Sequence, residues 1–442
     1  MTYTSKNVTI ITVIKIPKHF ESNKGRLVVG GCDTTEIIKK FGTPLYVLDE
    51  NYIRNTCKEY ISALGEYGNG LIAYAGKALL CKKMCKIVAS EGLGLDVVSG
   101  GELATALQAG FDTSKIYFHG NNKSRQELEM AVKANVHAIV IDSFFEIDLL
   151  NDVCKKLGKK QAVLVRSNPG VEAHTHHYIQ TAKVDSKFGF FVDDGTAEKA
   201  IATIAKSSFL NFLGLHCHIG SQIFEVTPFE LAAKKMIDFA AKVKAKLGVT
   251  VSELNLGGGF GIEYIDEDRP LTPKEYIGLV AKQVKDYCKT KDMPQPKLIF
   301  EPGRSIVGPA GVTLYTVGAI KDIPNVRKYI SVDGGMHENP RHALYQAQYK
   351  VALANRLDET CTEKITIAGK CCESGDMLAR DVMLPPVKSG DNLVIFSTGA
   401  YNYSMASNYN RNLIPPIVLV NKGKAEYMIR PQTYDDIMNR DV

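Results

Sequence analysis

Between residues 71 and 300 the chain alternates short apolar runs with helical patterns, and this rhythm leaves few folds open. Strands are predicted near residues 71–76, 94–98, 116–119, 137–142, 161–166, 212–218, 253–256 and 297–300. Helical patterns at 101–110, 124–134, 144–157, 195–207, 228–247 and 273–289 fill most of the gaps. The last opens with Thr272, Pro273 and Glu275: a cap, an N1 proline and a box glutamate. Strands alternating with helices pair in parallel, and about eight such units spell a (β/α)8 barrel.

The flanks read differently. TPLYVLDE at 43–50 is a predicted strand, followed by a helix through 51–64, and residues 8–16 and 26–30 carry further strand-like runs. Beyond about residue 305, GVTLYTVGAI, KYISVDGG, EKITIAG, DNLVIFST and PPIVLV alternate without long helices between them. They predict a mainly antiparallel β domain. The N-terminal strands precede the barrel, have no slot in it, and are expected to join that domain. The expected α/β architecture is therefore residues 1–48 packing with a C-terminal β domain, 49–305 as the barrel and 306–442 as the β domain.

Composition narrows the function. Hydrophobic residues at 45% and charged residues at 23% are those of an ordinary globular chain. The net charge of +6 is scattered among acids, which gives no nucleic-acid footprint. The ten cysteines form no pair of C-x-x-C motifs; Cys81 and Cys85 lie one helical turn apart, and Cys371 and Cys372 are adjacent. Reduced thiols in the cytoplasm are expected. Residues 1–20 interleave Lys6, Lys15 and Lys18 with β-branched runs, unlike a secretory signal. No stretch approaches the ~20 apolar residues of a membrane span.

A barrel makes a sharp demand: its chemistry sits just after the strands. Here the strand ends carry Lys77, then Asp96 and Ser99, then His119, Asn121 and Asn122. Asp142 and Arg166 follow, then His216, His218, Gly220 and Ser221, then Gly257, Gly258 and Gly259, and finally Glu301, Gly303 and Arg304. In LIAYAGKALL, Gly76 breaks a strand and a helix is predicted from Ala78. Lys77 then falls at a strand end among small apolar neighbours, where desolvation would lower its pKa and suit it to a Schiff base with an aldehyde. The three glycines permit either a tight turn or backbone amides aimed at an anion, and a phosphate after the seventh strand is where many barrels keep one. Glu301 is either a partner for Arg304 or a carboxylate that holds a proton on a ring nitrogen. A protonated pyridinium is a strong electron sink, and a carboxylate there suits full carbanion chemistry where an arginine would suit racemisation.

His216 and His218 alternate on a strand and are expected to face one side. A metal would need a third ligand, and HTHH at 174–177 is better read as an exposed polar loop, so no metal is expected. His218 is better used stacked on a flat ring. Ser99 or Gly100 is expected to cap a helix with Glu102 in its first turn, leaving Asp96 to face the site.

AYAGKA (73–78), GLDVVSGGEL (94–103), RSNPGVEAHTHHYIQT (166–181), SKFGF (186–190), GLHCHIGSQI (214–223), LNLGGGFGI (254–262), EPGR (301–304), CCESGD (371–376) and GAYNYSMASNYN (399–410) occur in order. Together they resemble the fold-type III, pyridoxal-phosphate-dependent decarboxylases over about residues 25–430. Residues 1–24 have no counterpart, and the stretch from 411 onward is only loosely family-like. The resemblance implies pyridoxal 5'-phosphate as cofactor, with Lys77 as its Schiff-base lysine, His218 stacked on its ring and Glu301 holding the pyridinium proton. Ser221, Gly257, Gly258, Gly259, Tyr401 and the turn at Gly303 and Arg304 would bind its phosphate, with Asp96 also at the cofactor. It further implies a homodimer with shared active sites, in which Cys372 of one subunit serves the other and Lys187 meets Asp376. Arg304, Arg341, Tyr345 and Tyr401 would hold the far carboxylate of an amino-acid substrate, and Glu373 its far ammonium. Two arginines favour a substrate that keeps a distal carboxylate over an ornithine-like one that does not.

Overall fold

The computed structural model describes residues 13–171 and 186–442, which divide into two compact units. One holds Arg54–Glu263 with Asp268–Ile306; the other holds Tyr264–Glu267, Val307–Val442 and the described residues up to Ile53.

The first unit is the barrel. Its strands are β1 (Gly70–Ala75), β2 (Gly94–Val97), β3 (Ile116–Phe118), β4 (Ala138–Ile141), β5 (Gln161–Asn168), β6 (Leu210–His216), β7 (Glu253–Asn255) and β8 (Lys297–Phe300). Each pairs in parallel with the next, and β8 returns to β1 with Leu298 opposite Gly70, closing the ring. Strands covered on both faces read as continuous apolar runs, and the strand segments are accordingly buried almost throughout. Ala73, Tyr117, Ala138, Val140, Leu164 and Ile299 meet inside the ring as a packed layer. The outer helices turn one face inward. The longest, Thr227–Leu247, buries Phe229, Ala233, Met236, Ile237, Ala240 and Val243 at helical spacing and ends on Gly248 in the left-handed conformation.

The structure departs from the sequence reading at element ends. The helix expected from Ala78 starts only at Lys82: Gly76–Ala78 form a 3-10 turn, Leu79 is extended, and Cys81 caps the helix through its sulfur. The sixth strand stops at His216, so strand alternation does not set His218. The Thr272–Glu275 capping box forms as expected, but the first turn after it is a π-helix, Lys274–Gly278. Residues 13–16 are not in a strand; they run into Pro17, which has no N–H to give a ladder. Residues 8–12 lie outside the described residues.

A buried lysine joins two strand ends. Lys123, in the loop after β3, donates to the carbonyls of Gly120 (2.6 Å) and Val140 (2.9 Å). Its Nζ also lies 2.6 Å from Oε1 of Glu146, whose Oε2 accepts the N–H of Asp142 (2.9 Å). The ends of β3 and β4 are thus tied to one ion pair.

The second unit is a mixed sheet. Leu45–Asp49 lies between Gly311–Ile323, antiparallel, and Ile417–Asn421, parallel. Val47 faces both Val312 and Val418 in register, and all three are buried in a core with Leu27, Leu314 and Phe396. The N-terminal strands therefore do join the β domain.

Candidate active site

The C-terminal ends of the barrel strands converge on Glu301, directly after β8. Its Oε1 accepts from Asn255 Nδ2 (2.6 Å) at the end of β7 and lies 2.9 Å from His119 Nε2, just past β3. Its Oε2 is 3.2 Å from His216 Nε2 at the end of β6. All four side chains are buried. Burial raises the pKa of Glu301, but the two imidazoles outweigh it and hold the carboxylate well below its usual range. His216, desolvated, is pushed down to about 4 and is neutral at physiological pH. His119 is also desolvated, yet Asp96 and Glu301 raise its pKa. The Nε2 of His119 is 3.6 Å from Asp96, whose own pKa burial lifts to about 6.

Glu301 therefore does not pair with Arg304. That guanidinium donates to Ser221 Oγ (2.8 Å), which places one cation and one hydroxyl side by side at the ends of β8 and β6. The donor atoms of His119, His216 and Glu301 lie within 4.8 Å of one another, the compactness of a metal triad, but both nitrogens here face the carboxylate. The 174–177 cluster lies outside the described residues.

The three glycines are required by close approach. A Cβ on Gly257 would come 2.5 Å from the Cys217 carbonyl, one on Gly258 2.1 Å from the Glu301 carbonyl and one on Gly259 2.3 Å from the Gly220 carbonyl. Gly257 and Gly259 also have positive φ (69° and 111°). The loop presses against the ends of β6 and β8, and the Gly258 N–H donates to His218 Nδ1 (3.3 Å). His218 is half-buried; desolvation, then the nearby Lys77 charge, push its pKa well down. Gly303 is equally confined, since a Cβ there would sit 2.9 Å from Ala75 Cβ.

Lys77 departs from expectation. It is exposed at the end of β1, not desolvated. The tight turn explains this: Tyr74 Oη donates to the Leu79 carbonyl (2.8 Å) and folds the chain so that Gly76 and Ala78 are buried while the lysine points out. What surrounds it is charged rather than apolar, for its ammonium acts electrostatically on Asp96 and His218. Around it, Ser99 caps the next helix by accepting the Glu102 N–H (3.2 Å), and Glu102 accepts the Val98 N–H (2.8 Å), as the sequence indicates. Arg166 is stacked on Phe188 (4.3 Å) with its Nε 3.8 Å from Asp142.

The remaining candidates belong to the β domain. Arg341 is buried and donates to Tyr264 Oη (2.8 Å) and Tyr349 Oη (2.7 Å). Tyr345 ends the same short helix and is half-buried. Cys372 and Glu373 are exposed, with the Cys372 N–H donating to Asn410 Oδ1 (2.7 Å). Asp376, which the resemblance pairs with Lys187, is buried and accepts the N–H groups of Met336 (2.6 Å) and Cys371 (2.7 Å) within its own unit. Tyr401 holds a left-handed backbone, φ 59°, an uncommon conformation for a tyrosine. The roles of Asn255 and Lys123 carried no signal in the sequence; those of His119 and His216 were marked only by their place at strand ends.

Comparison with known proteins identifies the family of the chain. Residues 50–308 match the family described as pyridoxal-dependent decarboxylase, pyridoxal binding domain. The chain is 49% identical over 423 residues to a diaminopimelate decarboxylase of Bacillus subtilis, covering 96% of each chain. It is 43% identical over 427 residues to that of Mycobacterium tuberculosis, covering 95% of each. A diaminopimelate decarboxylase from M. jannaschii, solved with L-lysine, superposes with a TM-score of 0.91 at 38% identity, covering 96% of this chain and 98% of the other.

Proposed function

We infer, for a chain that belongs to the pyridoxal-dependent decarboxylases and within them to the diaminopimelate decarboxylases, that it removes carbon dioxide from meso-2,6-diaminopimelate to give L-lysine, the last step of lysine biosynthesis. Its cofactor is pyridoxal 5'-phosphate. The observation that carries this reading is Glu301, a buried carboxylate kept ionised by two histidines and an asparagine at the mouth of the barrel.

The residues present fit the cofactor. Asn255 and His216 hydrogen-bond Glu301 and His119 Nε2 lies 2.9 Å from it; a carboxylate offers about four acceptor positions, so room remains for a ring N–H. Asp96 Oδ1 is buried with no hydrogen-bond partner among the described residues, a polar atom prepared for a further group. When bound, the cofactor supplies a pyridinium ring that accepts the electrons released as carbon dioxide leaves. Lys77 would hold it by its amine. His218 would lie against the ring. Ser221, Arg304, Gly303 and the amides of Gly257, Gly258 and Gly259 would receive the phosphate, and the resemblance adds Tyr401.

Arg341 spends two of its five N–H donors on tyrosine hydroxyls, leaving others for the distal carboxylate, a role the resemblance also gives Tyr345 and Arg304; Glu373 would take the distal ammonium. The chain works as a homodimer in the cytoplasm, and the exposed Cys372 enters the partner's site to return a proton. All ten cysteines are free thiols, and among the described residues no helix is long and apolar enough to cross a membrane, both of which support that setting.

Carbon dioxide release from meso-diaminopimelate, L-ornithine, L-arginine and L-lysine tests the substrate. Diaminopimelate alone should turn over rapidly; a preference for ornithine would overturn the assignment. Cys372→Ala should slow turnover about a hundredfold, as loss of a general acid does, with cofactor absorbance retained. Loss of cofactor would instead place Cys372 elsewhere.

A further inference from the structure

Three strand ends approach one carboxylate from behind, more support than packing alone requires. His119, His216 and Asn255 come from β3, β6 and β7, and all three are buried. We propose that His119 and His216 are positioning residues which, with Asn255, weaken Glu301 as a base so that the proton it shares with the cofactor rests on the ring nitrogen and not on the carboxylate. The inference rests on the assignment of Glu301 to that nitrogen.

A proton between two bases settles on the stronger. Donors aimed at a carboxylate stabilise its charged form and lower its proton affinity. Here Oε2 faces His216 at 3.2 Å, and Oε1 faces Asn255 at 2.6 Å and His119 at 2.9 Å. His216 contributes as a neutral donor: its Nε2 faces the carboxylate, while its Nδ1 has no hydrogen-bond partner among the described residues, which assigns the hydrogen to Nε2. His119 contributes charge. Asp96 Oδ1 at 3.6 Å and Glu301 Oε1 at 2.9 Å face its Nε2, against Arg166 on β5 and the ring of His216 at 4.7 Å. The two near acids favour the imidazolium. The cation then sits where it most weakens Glu301, with Asp96 Oδ1 3.6 Å from the same nitrogen.

The test uses the full-length holoenzyme loaded with cofactor labelled with 15N in the ring, read by 15N NMR. The wild type should show a protonated ring nitrogen. His119→Leu and His216→Leu should each move the resonance toward the unprotonated value and lower kcat by about tenfold or more, since a hydrogen bond to a charged group shifts a proton equilibrium by that order. KM should change less than about twofold. His216→Gln keeps a neutral N–H donor and should restore much of both signals, which a packing role would not predict; His119→Gln keeps a donor without the charge and should restore less. If His119→Leu fails to load, His119→Asn, too short to reach Glu301, removes the same contact. A wild-type resonance in cofactor-loaded His119→Leu and His216→Leu would overturn the proposal. If Glu301→Gln also left the resonance unmoved, the fault would lie in the assignment of Glu301 itself.

Discussion

Replacing Lys77 by alanine is expected to lower turnover by at least about three orders of magnitude, a loss of about 4 kcal/mol in transition-state stabilisation, and to remove the visible absorbance band of a lysine-bound pyridoxal phosphate. The expectation rests on elimination as much as on position. Among the described residues, two lysines follow the barrel strands closely, Lys77 after β1 and Lys123 after β3. The ammonium of Lys123 is buried and committed to two carbonyls and Glu146, so it has no lone pair to offer and no room to move. Lys77 is exposed at the mouth, near Asp96 and His218 and on the same end of the barrel as Glu301. Its usefulness then owes little to burial and much to delivery: the 3-10 turn fixes where the amine emerges, and Asp96 and Glu102 are acids within electrostatic reach. Lys77→Arg separates charge from chemistry, because a guanidinium does not deprotonate. It should be as inactive as Lys77→Ala while retaining more cofactor by ion pairing. Spectra and cofactor content of the two variants check this, and an absorbance band surviving in Lys77→Ala would remove Lys77 from the mechanism.

The barrel was legible because its strands are buried on both faces. Runs such as Ala138–Ile141 are apolar without interruption, and the helices between them carry caps that can be read singly: Ser124 with Glu127, Ser143, Thr272 with Glu275. That candidate groups lie after strands followed from the fold. What each touches did not. Glu301 was expected beside a ring nitrogen or beside Arg304, three residues on; its partners come from residues 119, 216 and 255. Such contacts depend on how a closed ring brings non-adjacent strands to one axis, and no periodicity encodes that. Lys77 failed for a local reason. The small residues around it read as an apolar wall, but Gly76 and Ala78 are what allow a tight turn, and the turn exposes the amine. The glycine loop was located correctly while its reason was incomplete: the carbonyls of Cys217, Gly220 and Glu301 leave no space for any side chain.

The same convergence of strand ends predicts the largest effect on stability. Lys123→Met should destabilise the barrel by about 3–5 kcal/mol at neutral pH, the usual result of removing one partner from a buried ion pair. The methionine fills the space, but Glu146 is left buried at 3% exposure with no counter-charge. Burial already raises the pKa of Glu146, and Lys123 is the main influence pulling it back. Without the lysine the folded value rises further above the unfolded value of about 4.3. A carboxyl raised in the folded state contributes stability that is present below its unfolded pKa and lost as pH rises through its folded one. The deficit of the variant relative to wild type should therefore shrink on acidification from pH 7 toward pH 5, where Glu146 binds a proton. Urea midpoints of both proteins at the two pH values measure it, and a deficit that grew in acid would contradict the sign. Lys123→Met/Glu146→Gln should recover much of the loss, since the amide oxygen can still accept the Asp142 N–H without carrying charge. That partial rescue separates charge burial from simple loosening of the loops after β3 and β4, and those loops bring His119 and Asp142 to the site. A variant stable enough to load cofactor but displaced at His119 should resemble the His119 variants in its ring-nitrogen resonance, tying the ion pair to the chemistry through one strand end.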